Sequence, residues 1–180
     1  TLLNNESKLS DFTKETIKKI SEKGHHVIIT TGRPYRMAKD FYRELELHTP
    51  MINFNGSLTH LPGQTWEHEK CLTLDKKYLL DMVKRTEDIQ ADFIAGEYRK
   101  KFYITTPNEE IADPKLFGVE NFRPENQFKP ERVTKDPNCI LLQTRAEDKY
   151  ALADEMNRFY QHQLAINTWG WPLNILECTP

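Results

Sequence analysis

A chain of 180 residues holds one large domain or two small ones. Its 25 Lys and Arg nearly balance 27 Asp and Glu, a formal net charge of −2, which excludes the basic footprint of a nucleic-acid binder. No apolar run reaches bilayer-spanning length, and three scattered cysteines (Cys71, Cys139, Cys178) suit neither a disulfide framework nor a zinc site, pointing to a reducing, cytoplasmic setting.

The first 57 residues predict a parallel α/β unit. Ser10 is placed to cap a helix over 11–23, with Phe12, Thr16, Ile17 and Ile20 inward and Gly24 as its stop. Val27–Thr30 reads as a short buried strand. Pro34 fits the first turn of a second helix, on which Met37, Phe41 and Leu45 recur at fourfold spacing. Met51–Phe54 is another apolar strand, running into Asn55-Gly56. A helix-bearing crossover between 26–30 and 50–54 predicts parallel pairing.

Beyond residue 57 the pattern changes. Ser57–His60 and Thr65–Lys70 read as a hairpin about Leu61-Pro62-Gly63-Gln64. Asp75 is placed to cap a helix striped by Leu79, Met82, Val83 and Thr86. Ala91–Ala95 and Lys100–Thr105 read as strands. Residues 107–138 carry five prolines (107, 114, 124, 130 and 137) and predict an irregular excursion with a short helix near 108–112. A strand follows at Cys139–Gln143, then a helix over 146–160 with Leu152, Ala153, Met156 and Phe159 inward. Leu164–Thr168 and Leu173–Glu177 are the last strands, joined by Trp169-Gly170-Trp171-Pro172. The order predicts a second, mostly antiparallel layer with two helices on one face.

The candidate chemistry lies where the strand ending Thr30-Thr31 meets Gly32-Arg33-Pro34. A hydroxyl, a glycine amide and a helix N-terminus then share the carboxyl edge of a parallel sheet, an arrangement suited to phosphate. Thr31 is the candidate hydroxyl, since Thr30 alternates to the other side. Arg33 is read either as a phosphate contact or as a surface ion pair, and Asn55 either as an amide reaching the phosphate or as a plain Asn-Gly turn with Gly56. Trp169 and Trp171 fall on one face if the backbone between them is extended, either stacking on a ring-bearing substrate or packing into the core. His25-His26 lacks a third metal ligand, His60 and His68 read as a solvated pair, and Arg99, Lys100 and Lys101 read as a solvated strand start.

Thr1-Leu2-Leu3, Lys23-Gly24-His25-His26-Val27, Thr31-Gly32-Arg33-Pro34 and Asn55-Gly56 follow one another in an order and spacing that resembles the haloacid dehalogenase-like (HAD) superfamily, in its Cof-type branch of small-molecule phosphatases. The resemblance is specific over residues 1–57 and covers the rest only in general pattern. It implies a partial Rossmannoid parallel core (1–57), an inserted α/β cap domain (58–177), and a linker returning to the core from 178. It also implies phosphate-ester hydrolysis through a nucleophilic aspartate, a second aspartate as general acid and base, and Mg2+. Thr31 then matches the family's catalytic hydroxyl, with Gly32, Arg33, Asn55 and Gly56 around the phosphate and Trp169 and Trp171 toward the substrate.

Both aspartates would lie upstream of Thr1, and the family's lysine and later acidic motif beyond Pro180. No metal ligand is therefore expected within the chain, which reads as cut at both ends and inactive alone. The implied substrate is a small phosphorylated metabolite, a sugar phosphate or phosphorylated cofactor, with no nucleic-acid or membrane partner. Phosphosugar mutases and sucrose- or trehalose-phosphate phosphatases resemble it around Thr-Gly-Arg. A non-catalytic ligand- or partner-binding module is the rival from another class.

Overall fold

The computed structural model describes residues 2–180 and divides into two compact units, residues 1–70 and 71–180. Thr1 of the Thr-Leu-Leu motif lies outside the described residues. The expected division follows residue 57. Hairpin pairing instead carries the first unit's hydrogen bonding on to His60, and the boundary falls between Lys70 and Cys71.

In the first unit, α1 (Asp11–Glu22) starts where the Ser10 hydroxyl accepts from Thr13 N. Of its predicted inward face only Ile17 is buried; Phe12 is 80% exposed and Ile20 is also exposed. α2 (Tyr35–Glu44) begins one residue later than expected, with Pro34 as its N-cap. Its buried stripe is Ala38, Tyr42 and Leu45, with Phe41 partly buried beside it. The stripe is therefore turned from the one anchored on Met37.

Residues 29–31 run parallel to β1 (Met51–Asn53), as predicted. Thr30 bridges Ile52, Thr31 N donates to Ile52 O at 2.9 Å, and Ile52 N donates to Ile29 O at 2.9 Å. The pairing is a single bridge rather than the full predicted strand Val27–Thr30. β1 is also antiparallel to β2 (Leu58–His60), with Asn53 opposite Leu58 and Met51 opposite His60. β3 (Lys70–Cys71) completes the order β1-β2-β3. The tight turn between β1 and β2 holds Asn55 at φ 53° and Gly56 at φ 110°, a left-handed path that asparagine and glycine adopt most readily.

The second unit is an antiparallel sheet of order β5-β4-β6-β8-β7, built from β4 (Ala91–Glu97), β5 (Phe102–Ile104), β6 (Cys139–Thr144), β7 (Ala165–Thr168) and β8 (Ile175–Thr179). α3 (Lys76–Lys84) and α4 (Lys149–Phe159) cover one face. Leu79, Met82, Leu152 and Met156 there pack on Ile94, Ile140, Leu142 and Leu176. α3 lies so close to β4 that a Cβ on Gly96 would stand 2.6 Å from Leu79 Cδ2. Phe159, predicted inward, is 54% exposed, and its ring lies against the Arg85 guanidinium.

The 107–138 excursion reaches the sheet's other face, where the Phe117 ring stacks on Phe102 at 4.7 Å and meets Phe93 edge-on. The short helix expected near 108–112 is absent. Three 3-10 turns start at Pro114, Pro124 and Pro130 instead, because proline presets the helical φ and the N–H it lacks has no partner at a helix start.

Candidate active site

The first unit brings Thr31, Gly32, Arg33 and Asn55 together at the end of the parallel pairing. The Thr31 hydroxyl accepts from Arg33 N at 3.1 Å, which turns the chain sharply away from the sheet edge. With that lone pair engaged, the hydroxyl proton remains available to an anion. Asn55 N donates to Thr31 O at 3.3 Å. The Asn55 side chain lies flat against Gly32, where an added Cβ would stand 2.8 Å from Asn55 Oδ1. Only glycine permits that approach. α2 then starts at this turn, with Pro34 as its N-cap and no side chain capping it.

Two further residues hold this loop, and both were missed from sequence. Asn53 Nδ2 donates to the Arg33 carbonyl at 2.9 Å, and His60 Nε2 meets Asn53 Oδ1 at 2.9 Å. His60 is 1% exposed and stands edge-on to Tyr35. This corrects the solvated pair with His68, which instead sits at the surface beside Glu67. The signal was available in the register: once Asn55-Gly56 is taken as the β1–β2 turn, His60 is the diagonal cross-strand neighbour of Asn53. Gly56 serves the turn conformation, and Arg33 is exposed. An apolar groove of about 490 Å3 runs from Leu2, Leu3 and Ile17 past Ile28 and Phe41 to Thr31.

In the second unit the two tryptophans part company. Trp169 N donates to Ile175 O and Leu173 N to Gly170 O, so the backbone turns rather than staying extended. Trp169 is half-buried, and its indole N–H donates to the Glu177 carboxylate at 3.3 Å. Trp171 is 90% exposed, which removes core packing as its role. Burial, reinforced by nearby Glu177, pushes the Cys139 and Cys178 thiols well above their usual range, so neither serves as a nucleophile near neutral pH.

No group of three or more His, Cys, Asp or Glu side chains among the described residues could hold a metal. No helix among them is long and apolar enough to cross a membrane.

A hydroxyl and a glycine turn at the end of a parallel strand, ahead of a helix start, is an arrangement suited to an anion in an α/β protein. The match over residues 1–180 to the haloacid dehalogenase-like hydrolase model makes the assignment: the chain belongs to that family. It is 27% identical to the 5-amino-6-(5-phospho-D-ribitylamino)uracil phosphatase YitU of Bacillus subtilis over 98% of its own length and 65% of that protein's. The structure of TM0651 from Thermotoga maritima matches all of the chain with a TM-score of 0.75 at 20% identity, over 66% of its own length. The HAD subclass IIB sugar phosphatase BT4131 matches 99% of it with a TM-score of 0.73 at 16% identity, again over 66% of its length. The chain thus spans just under two thirds of these proteins, and the last two comparisons concern fold alone.

Proposed function

We propose that residues 1–180 belong to a magnesium-dependent phosphatase acting on a small phosphorylated metabolite, a sugar phosphate or a phosphorylated cofactor. The observation that carries this reading is the Thr31 turn. Its hydroxyl is oriented by Arg33 N, and its glycine is pressed against Asn55 at the end of the parallel pairing. In this reading Thr31 Oγ donates to a phosphoryl oxygen as negative charge builds in the transition state. The Gly32 backbone allows close approach. Asn53 occupies the Arg33 carbonyl, so that a negative dipole does not oppose the anion. The α2 N-terminus adds a favourable field.

The sequence contains no Asp-x-Asp pair. The nucleophile, the general acid and the magnesium ligands are therefore assigned to residues outside 1–180. The first unit is read as part of the core, and the second as the cap whose Trp169 and Trp171 contact the alcohol portion of the substrate.

The test is phosphate release from an aryl phosphate with magnesium. A protein of the relatives' full length is expected to be active, and the 180-residue polypeptide inactive. In the longer protein Thr31→Ala should lower turnover by about ten- to a thousandfold, as removal of one charge-stabilising donor does elsewhere. Thr30→Ala should change it far less. Robust turnover by the 180 residues alone, or an unaffected Thr31→Ala, would overturn the assignment. A longer protein that binds phosphate esters without hydrolysing them would instead be the non-catalytic module.

A further inference from the structure

The Trp169–Leu173 turn is held from beneath by a buried lysine. Lys149, the first residue of α4, is 7% exposed. Its ammonium donates to Trp169 O and to Leu173 O, each at 2.7 Å, and stands 5.4 Å from the Tyr150 ring centroid. The two carbonyls bracket Gly170, Trp171 and Pro172. One cation thereby ties the entrance of the turn to its exit.

An ammonium is expensive to bury, and methionine would fill a similar volume without that cost. What lysine supplies is directional hydrogen bonding to two carbonyls at once. Further bonds complete the frame. Trp169 N donates to Ile175 O, Leu173 N to Gly170 O, and the Trp169 indole to Glu177. On this braced turn the Trp171 ring projects 90% exposed. A backbone held in place before contact forfeits less conformational entropy when its side chain meets a ligand.

We propose that Lys149 is a positioning residue, whose two carbonyl bonds hold the Trp169–Leu173 turn so that Trp171 is a pre-ordered stacking surface for the ring of a sugar-bearing phosphate ester. The ligand class rests on the proposed phosphatase reading. The positioning role does not.

The experiment uses the protein at the relatives' full length. Hydrogen exchange at the Trp169 and Leu173 amides reads the turn, and titration calorimetry with a hexose phosphate reads binding. Glycerol phosphate, which has no ring, is the control. Lys149→Met should speed exchange at those two amides by about tenfold, the scale of one or two lost hydrogen bonds, without altering exchange in β4 and β6. It should weaken hexose phosphate binding by about three- to tenfold and leave glycerol phosphate binding unchanged. Lys149→Arg should restore most of both. Trp171→Ala should weaken hexose phosphate binding to a similar degree while the turn exchanges as before, a result that stands even if Lys149→Met fails to fold.

Unchanged exchange in Lys149→Met, or a rise spread evenly over the whole sheet, would overturn the positioning role. Equal loss on both ligands, or unaltered binding in Trp171→Ala, would overturn the ring contact. A protein that binds the hexose phosphate through Trp171 but releases no phosphate would sink the phosphatase reading and leave this one standing.

Discussion

The tightest local constraint at the candidate site is the contact between Gly32 and the Asn55 side chain. A methyl group at Gly32 would stand 2.8 Å from Asn55 Oδ1 and 3.3 Å from Asn55 Cγ. Gly32→Ala should therefore cost about 1–3 kcal/mol, the usual range for overpacking. The obstacle is a side chain and not backbone, so an Asn55→Gly background should bring that cost below about 1 kcal/mol. A double-mutant cycle by urea unfolding measures this. Additive effects would mean that the contact does not govern the glycine. His60 is a lesson at the same scale. Its neighbours in sequence gave no hint of burial, because what buries it is a diagonal neighbour across the hairpin and the Tyr35 ring from α2.

Helices were the most readable elements, because their caps and stripes are local. Ser10, Asp75 and Asp148 each accept from backbone amides at a helix start, and Ser10 and Asp75 were recognisable as caps in advance. Less readable was which flank of a stripe is covered. On α1, Phe12 and Ile20 have the right spacing yet stay exposed. Asp75 makes a pH prediction. The Lys77 backbone N–H, and then the Lys77 ammonium, hold its carboxyl below the ordinary aspartate value. The unfolded chain therefore binds the proton more readily than the folded one. The stabilisation is present above about pH 4 and is lost as pH falls through the lowered folded value. Between pH 5 and pH 3, Asp75→Asn should show a shallower fall in urea midpoint than the parent. Parallel curves would show that the cap is not coupled to this titration.

At the scale of the whole molecule, order and spacing over residues 1–57 were enough to indicate the family. They could not place the boundary between units, because hairpin pairing beyond Asn55-Gly56 depends on register and not on composition. Residues 107–138 were legible only as irregular, since aromatic stacking of Phe117 on Phe102 is a long-range event. The two units should also differ in autonomy. Residues 72–180 enclose a continuous core from Leu74 to Cys178, so that fragment should fold alone with dispersed amide resonances and a cooperative urea transition. Residues 1–70 leave Ile28 47% exposed along an open apolar groove, so they should not. A disordered 72–180 fragment would refute this. The chain of contacts from His60 through Asn53 to the Arg33 carbonyl has a consequence of its own. The geometry offered to an anion is set by a strand encoded after it, so the loop cannot reach its final shape until the hairpin beyond it has closed. Readiness for the ligand then depends on that hairpin, and fraying at His60 is felt at Thr31.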